Sequence, residues 1–81
     1  MTPKPTHLLS QLNSGQRFTV VKIRSNGEIR RRLLDIGFIK GETGLVLREA
    51  LLKDPIELKI KGTKVSLRRS EAKMIEVEIV H

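Results

Sequence analysis

The spacing of apolar residues along this chain changes with position, and each change marks an element. From Ser25 to Gly44 the sequence reads SNGEIRRRLLDIGFIKGETG. Ile29, Leu33 and Ile36 stand at i, i+4 and i+7 and so share one face of a helix, with Arg30, Arg31 and Arg32 on the others. Ser25 and Glu28 have the spacing of a capping box. Glu28 with Arg32, and Arg31 with Asp35, are placed for i, i+4 ion pairs. Gly37 follows the last periodic residue, where a helix takes a C′ residue without a Cβ. Gly41 then stands where a type II turn needs positive φ, with Lys40 before it.

On either side of this helix the period is two. Arg17 to Ile23 is rich in β-formers, and the adjacent Val20 and Val21 call for a bulge. A second strand is expected over about 43–52, stopped by Lys53-Asp54-Pro55 because proline cannot donate to a ladder. Ile56, Leu58 and Ile60 alternate with Glu57, Lys59 and Lys61; a hairpin turn at Gly62-Thr63 leads to Val65 and Leu67 on the same buried face. Ser70 is placed to cap a single helical turn, after which Ile75, Val77 and Ile79 alternate with Glu76 and Glu78. Ahead of these elements, residues 1–7, with Pro3 and Pro5, form a flexible arm. Residues 8–81 form one domain, beginning with an apolar turn (Leu8, Leu9, Leu12) and a glycine turn at Asn13–Gln16. The resulting order is a strand, a helix, a three-strand meander, a helical turn and a last strand. It predicts a mainly β fold: a small closed SH3-like barrel of about five strands, with the helix between strands 1 and 2. Closure would leave no strand edge exposed.

Composition narrows the function. Sixteen Lys and Arg against nine Asp and Glu give a net charge of +7 in 81 residues, which favours an acidic partner, nucleic acid or an anionic membrane face. The aromatic residues are Phe18 and Phe38 alone, too few for stacking bases. There is no cysteine, so neither disulfides nor thiolate metal sites arise. No apolar run reaches the ~18 residues of a membrane span, and the expected location is the cytoplasm. The two histidines, His7 and His81, lie near the chain ends and are not read as metal ligands. No GxxxxGK[ST] loop occurs, and no nucleophile lies near a base. The chain is therefore read as a non-enzyme with no cofactor, no metal site and no catalytic residue.

Recognition is the remaining role. Leu51 and Leu52, beside Lys53, cannot both face inward from one strand end. They either close the core at the rim or form an apolar contact ringed by charge. Phe38 fits the core. Arg30-Arg31-Arg32 is a solvated face, with an arginine finger for a nucleotide-hydrolysing partner as the less favoured reading.

The run RRRLLDIGFIKGETGLVL followed by DPIELKIKGTKVSLRRSEAKMIEVEIV resembles the FeoA family, a small cytosolic component of bacterial ferrous iron uptake. The RxLLDxGxxxG core, Asp54-Pro55-Ile56 and Leu67-Arg68-Arg69-Ser70-Glu71-Ala72 carry the resemblance, which runs from about Leu9 to Val80. It departs from the family at Lys40-Gly41, where Pro-Gly is usual. The resemblance implies an SH3-like barrel, also found as the C-terminal domain of diphtheria-toxin-repressor-type iron regulators. It implies an accessory protein that docks on the cytosolic G-protein region of the membrane permease FeoB and reaches the membrane only through that partner. Candidate contacts are Arg30, Arg31, Leu51, Leu52, Lys53, Arg68 and Arg69, with Leu33, Gly37 and Gly41 as structural pivots. The alternative is a small basic nucleic-acid-binding barrel.

Overall fold

A computed structural model of the chain describes residues 5–49 and 54–81. The order is β1 (His7–Leu8), a 3-10 turn (Leu9–Gln11), β2 (Arg17–Ile23), α1 (Gly27–Ile36), β3 (Thr43–Glu49), β4 (Ile56–Ile60), β5 (Thr63–Leu67), α2 (Arg69–Ala72) and β6 (Ile75–Val80). The strands make one antiparallel sheet in the order β1-β6-β2-β3-β4-β5. The expected mainly β architecture holds, with one additional short strand. His7, placed by the sequence in the arm, pairs with Val77, and Leu8 with Glu76. The helix accordingly lies between β2 and β3.

Closure does not occur by hydrogen bonding. The ladder begins at β1 and ends at β5, and among the described residues these two do not pair. β1 is only two residues long, since the chain enters the 3-10 turn at Leu9 and Pro5 has no N–H to extend the ladder the other way. The seam is bridged instead. α2 packs on the 3-10 turn, and the Arg69 guanidinium Nη1 donates to the Ser10 carbonyl. The Arg69 backbone N–H donates to Asp54 Oδ1 at 2.8 Å.

Both inward rows of the strands meet in one core. Leu9, Phe18, Leu33, Phe38, Val46, Leu58, Leu67, Ile75 and Val77 have no exposed surface. The bulge expected from Val20-Val21 is present: Val20 pairs with Val77, but Lys22 pairs with Glu76. A second bulge falls between Val46 and Arg48. Gly44 pairs with Phe18 on one side and Ile60 on the other, beneath the Phe18 ring.

Turn chemistry follows the sequence closely, with local shifts. Glu42 N–H donates to Ile39 O at 2.9 Å, closing the turn around Lys40-Gly41 with Gly41 at φ 91°. Gly41 N–H in turn donates to Val20 O at 2.8 Å, which fastens the turn to β2. The hairpin lies one residue earlier than expected: Lys61 (φ 52°) and Gly62 (φ 76°) make it, and Thr63 already pairs with Ile60. Positive φ at both central residues is the type I′ geometry that suits strand twist.

Candidate functional site

The arginine-bearing helix is set by Leu33, which is completely buried, with Leu34 and Ile36 packed partly against the core. Its start differs from the capping-box expectation. The helix opens at Gly27, whose φ is 68°, and Asn26 rather than Ser25 holds the cap position, without a side-chain cap bond. That shift moves Glu28 out of the N3 position a capping box requires. Ile29, expected on the buried face, is 46% exposed. The helix ends as expected, with Gly37 N–H donating to Leu33 O at 3.2 Å and Leu34 O at 3.1 Å.

The three arginines have separate surroundings. Arg30 is exposed, and its Nη1 reaches back to Ile23 O at 3.4 Å. It lines a small cleft of about 150 Å³ between β2 and α1, with Lys22, Lys40, Leu34 and Phe38. Arg31 is exposed beside Glu28, Asp35 and Ile36 in a shallow surface groove. Arg32 forms an ion pair with Glu71. Neither i, i+4 pair expected on the helix forms: the ion pairs among the described residues are Lys22–Glu76, Arg24–Glu76, Arg32–Glu71 and Arg48–Glu57. For Arg32, a better placed acid on another element takes the local partner's place.

That acid also organises α2. Glu71 Oε1 accepts the Arg68 backbone N–H at 3.0 Å, while Oε2 accepts from Arg32. Arg68, extended at φ −63° and ψ 145°, is therefore the cap residue, and Ser70 lies inside the turn it was expected to open. The sequence signal was present in Glu71, three residues beyond Arg68. Through Glu71 the basic helix and the Arg68-Arg69 corner are joined. Arg68 is exposed; Arg69 is half-buried and engaged at the seam with Ser10 and Asp54. Leu51, Leu52 and Lys53 lie outside the described residues.

Two further arrangements were not legible beforehand. Arg48 and Glu57 face each other across β3 and β4, with Nε–Oε2 at 2.8 Å and Nη2–Oε1 at 3.4 Å. The hydrogen bonds from Arg48 hold the Glu57 carboxyl below its usual range, with the charges of Arg48 and Lys64 acting the same way. The same contact raises Arg48. His7 and His81, read as separate chain-end residues, line one cleft of about 400 Å³ with Thr19 and Glu78. The described residues contain no group of three or more His, Cys, Asp or Glu able to hold a metal ion. None of their helices is long and apolar enough to cross a membrane.

Comparison with known proteins places this geometry. The FeoA domain family matches residues 7–79. A Fe(2+) transport protein A/Fe(2+) transporter FeoB fusion protein of Porphyromonas gingivalis is 40% identical over 72 residues; the match covers 89% of this chain and 8% of that protein. The solution structure of FeoA from Chlorobium tepidum superposes with a TM-score of 0.86 at 40% identity, covering 93% of this chain and 71% of that one. FeoA of Stenotrophomonas maltophilia, solved with zinc and described as an SH3 domain protein, gives 0.77 at 31% identity, covering 86% and 87%. IdeR of T. acidophilum shares the fold at 17% identity, with a TM-score of 0.83 over 99% of this chain and 37% of that one.

Proposed function

The chain belongs to the FeoA family of ferrous iron transport, and on that premise we propose that it is a non-catalytic cytoplasmic accessory protein that docks on the cytosolic G-protein region of a FeoB-type transporter. The observation that carries this reading is the Porphyromonas gingivalis fusion, in which a segment 40% identical to this chain is part of the same polypeptide as a FeoB transporter. Such a fusion keeps two partners at high effective concentration. A separate chain must supply the same association through its own surface.

The candidate surface centres on α1 and the corner next to it. Arg30 and Arg31 project from the helix, and Arg68 caps α2, which Glu71 ties to α1. Arg69 belongs to this corner by position, although its guanidinium and backbone N–H are engaged within the chain. Leu51, Leu52 and Lys53 complete the proposed contact set. Docking biases the transporter only through contacts that differ between its states. Leu33, Gly37 and Gly41 act indirectly, by holding α1 against the sheet.

Calorimetry of the full chain against the purified cytosolic region of a FeoB-type transporter tests the proposal. Binding that Arg30→Glu/Arg31→Glu weakens, with folding intact by circular dichroism, is the expected result. No heat of binding at low salt with a folded chain refutes it.

A further inference from the structure

The sheet carries a second basic surface, apart from Arg30 and Arg31 of α1. Residues directly opposite each other on neighbouring strands share a face. One such row crosses five strands: Val80 pairs with Arg17, Arg17 with Leu45, Leu45 with Lys59, and Lys59 with Lys64. All point outward, because their neighbours Phe18, Val46, Leu58 and Ile60 are buried. Arg17, Lys59 and Lys61 line a shallow depression of about 270 Å³ together with Leu45, Thr43 and Gly44, and no carboxylate lines it.

None of Arg17, Lys59, Lys61 or Lys64 takes part in the ion pairs formed among the described residues. Glu57, two residues along the strand from Lys59, is already held by Arg48, and Glu78, two residues along from Val80, lies across from Thr19 in the next row. We propose that this row, Arg17-Leu45-Lys59-Lys64 with Lys61 at its edge, docks on an anionic membrane surface, the cations meeting lipid phosphates and Leu45 and Val80 entering the headgroup layer.

Two observations favour lipid over nucleic acid. Aliphatic residues stand within the basic row, and Val80 is 42% exposed; mixed basic and apolar contact suits a bilayer interface. Both phenylalanines are completely buried, and the chain has no Tyr or Trp, so no phenyl, phenol or indole ring is available for base stacking. This goes beyond the expectation that the chain meets the membrane only through its partner. It also uses other arginines than the transporter contact, since none of Arg30, Arg31, Arg68 or Arg69 lines the depression.

Sedimentation of the full chain with protein-free vesicles tests it, so failure here leaves the transporter reading standing. Phosphatidylcholine doped with phosphatidylglycerol should bind the chain at ~50 mM salt and release it at ~500 mM, where screening shortens the range of charge to a few ångströms. Arg17→Glu/Lys59→Glu should weaken binding about tenfold or more. Arg30→Glu/Arg31→Glu, the same change in net charge, should weaken it far less. Should the first pair unfold the chain, Arg17→Gln/Lys59→Gln replaces it, with a smaller loss in the same direction. Equal losses in both pairs, equal binding to phosphatidylcholine alone, or displacement by ~10 mM inorganic phosphate each overturn the proposal. So does tighter binding to single-stranded RNA that depends on the same residues.

Discussion

Replacing Gly44 by alanine adds one methyl group where the fold has no room for it. A Cβ built at Gly44 would lie 2.4 Å from Phe18 Cζ, 2.9 Å from Phe18 Cε1 and 2.8 Å from the Lys59 carbonyl oxygen. Neither neighbour can retreat cheaply. Phe18 has no exposed surface, so its ring can move only by displacing the core. The Lys59 carbonyl belongs to the β3–β4 ladder, so moving it parts two strands. Overpacking of a filled core costs about 1–3 kcal/mol. The lower backbone entropy of unfolded alanine returns ~0.5–1 kcal/mol. With ring and backbone both obstructed, a net loss of about 2 kcal/mol is expected, which lowers the melting midpoint of a domain this size by roughly 8–16 °C. The assay is thermal unfolding of Gly44→Ala, Phe18→Leu and the double variant. If the clash with the ring is the cause, the smaller leucine relieves it, and the double variant loses less than the sum of the singles by about 1 kcal/mol or more. A neutral Gly44→Ala, or strict additivity in the cycle, refutes the steric reasoning.

Leu33→Ala should cost about 2–5 kcal/mol in urea unfolding, because the side chain is wholly buried; a loss under ~1 kcal/mol would show that α1 is not anchored there. Ile29→Lys, on the exposed first turn of α1, should change stability by no more than ~0.5 kcal/mol, and a larger loss would restore the original amphipathic reading. Glu71→Ala removes the acceptor of both Arg32 and the Arg68 backbone N–H and should cost about 1–2 kcal/mol in the same assay; Glu71→Gln should recover part of this through the retained cap. Glu57 is held below the usual carboxylate range by Arg48. Its stabilisation is therefore complete above the unfolded pKa and lost as pH falls through the lower folded value. Arg48→Gln should flatten the acid limb of a stability–pH profile, and an unchanged limb would remove the pair from the account.

Much of the fold was legible because local chemistry and global arrangement agree. The clean alternation of Ile56-Leu58-Ile60 and Ile75-Val77-Ile79 fixes which face each strand buries, since a register slip would turn every apolar side chain to water. Gly41 declares its turn because the position needs positive φ. What was missed depended on partners distant in sequence. Glu71 lies 39 residues from Arg32, so no i, i+4 argument could anticipate that it would displace Glu28. The additional strand is only two residues long and exists through its pairing with β6, not through a pattern of its own. The open seam has the same origin. Periodicity locates the strands and the face each one buries, but at the last pair of edges the seam is bridged by the 3-10 turn and α2, joined through Ser10 and Arg69, with Arg69 also tied to Asp54. In the candidate site, the helix was evident from spacing. The basic row on the sheet was not, because it exists only once five strands lie in register.

Net charge alone therefore understated what the surface can do. The excess of seven positive charges is not spread evenly: Arg32, Arg48 and Arg69 are committed to joining elements, and Lys22 and Arg24 flank Glu76. Among the described residues, Arg30 and Arg31 on α1 and Arg17, Lys59, Lys61 and Lys64 on the sheet lie in two regions with different supports. Arg30 sits at the Ile23 end of β2, where its guanidinium meets the Ile23 carbonyl. Arg17 begins the same strand, six residues and about 20 Å away along it. Charges that far apart are largely screened from each other at physiological ionic strength. Reversing one set should leave the electrostatics of the other nearly intact. A small barrel can on this basis engage a protein at one end of a strand and an anionic surface at the other, each contact with its own salt dependence and its own set of disabling substitutions.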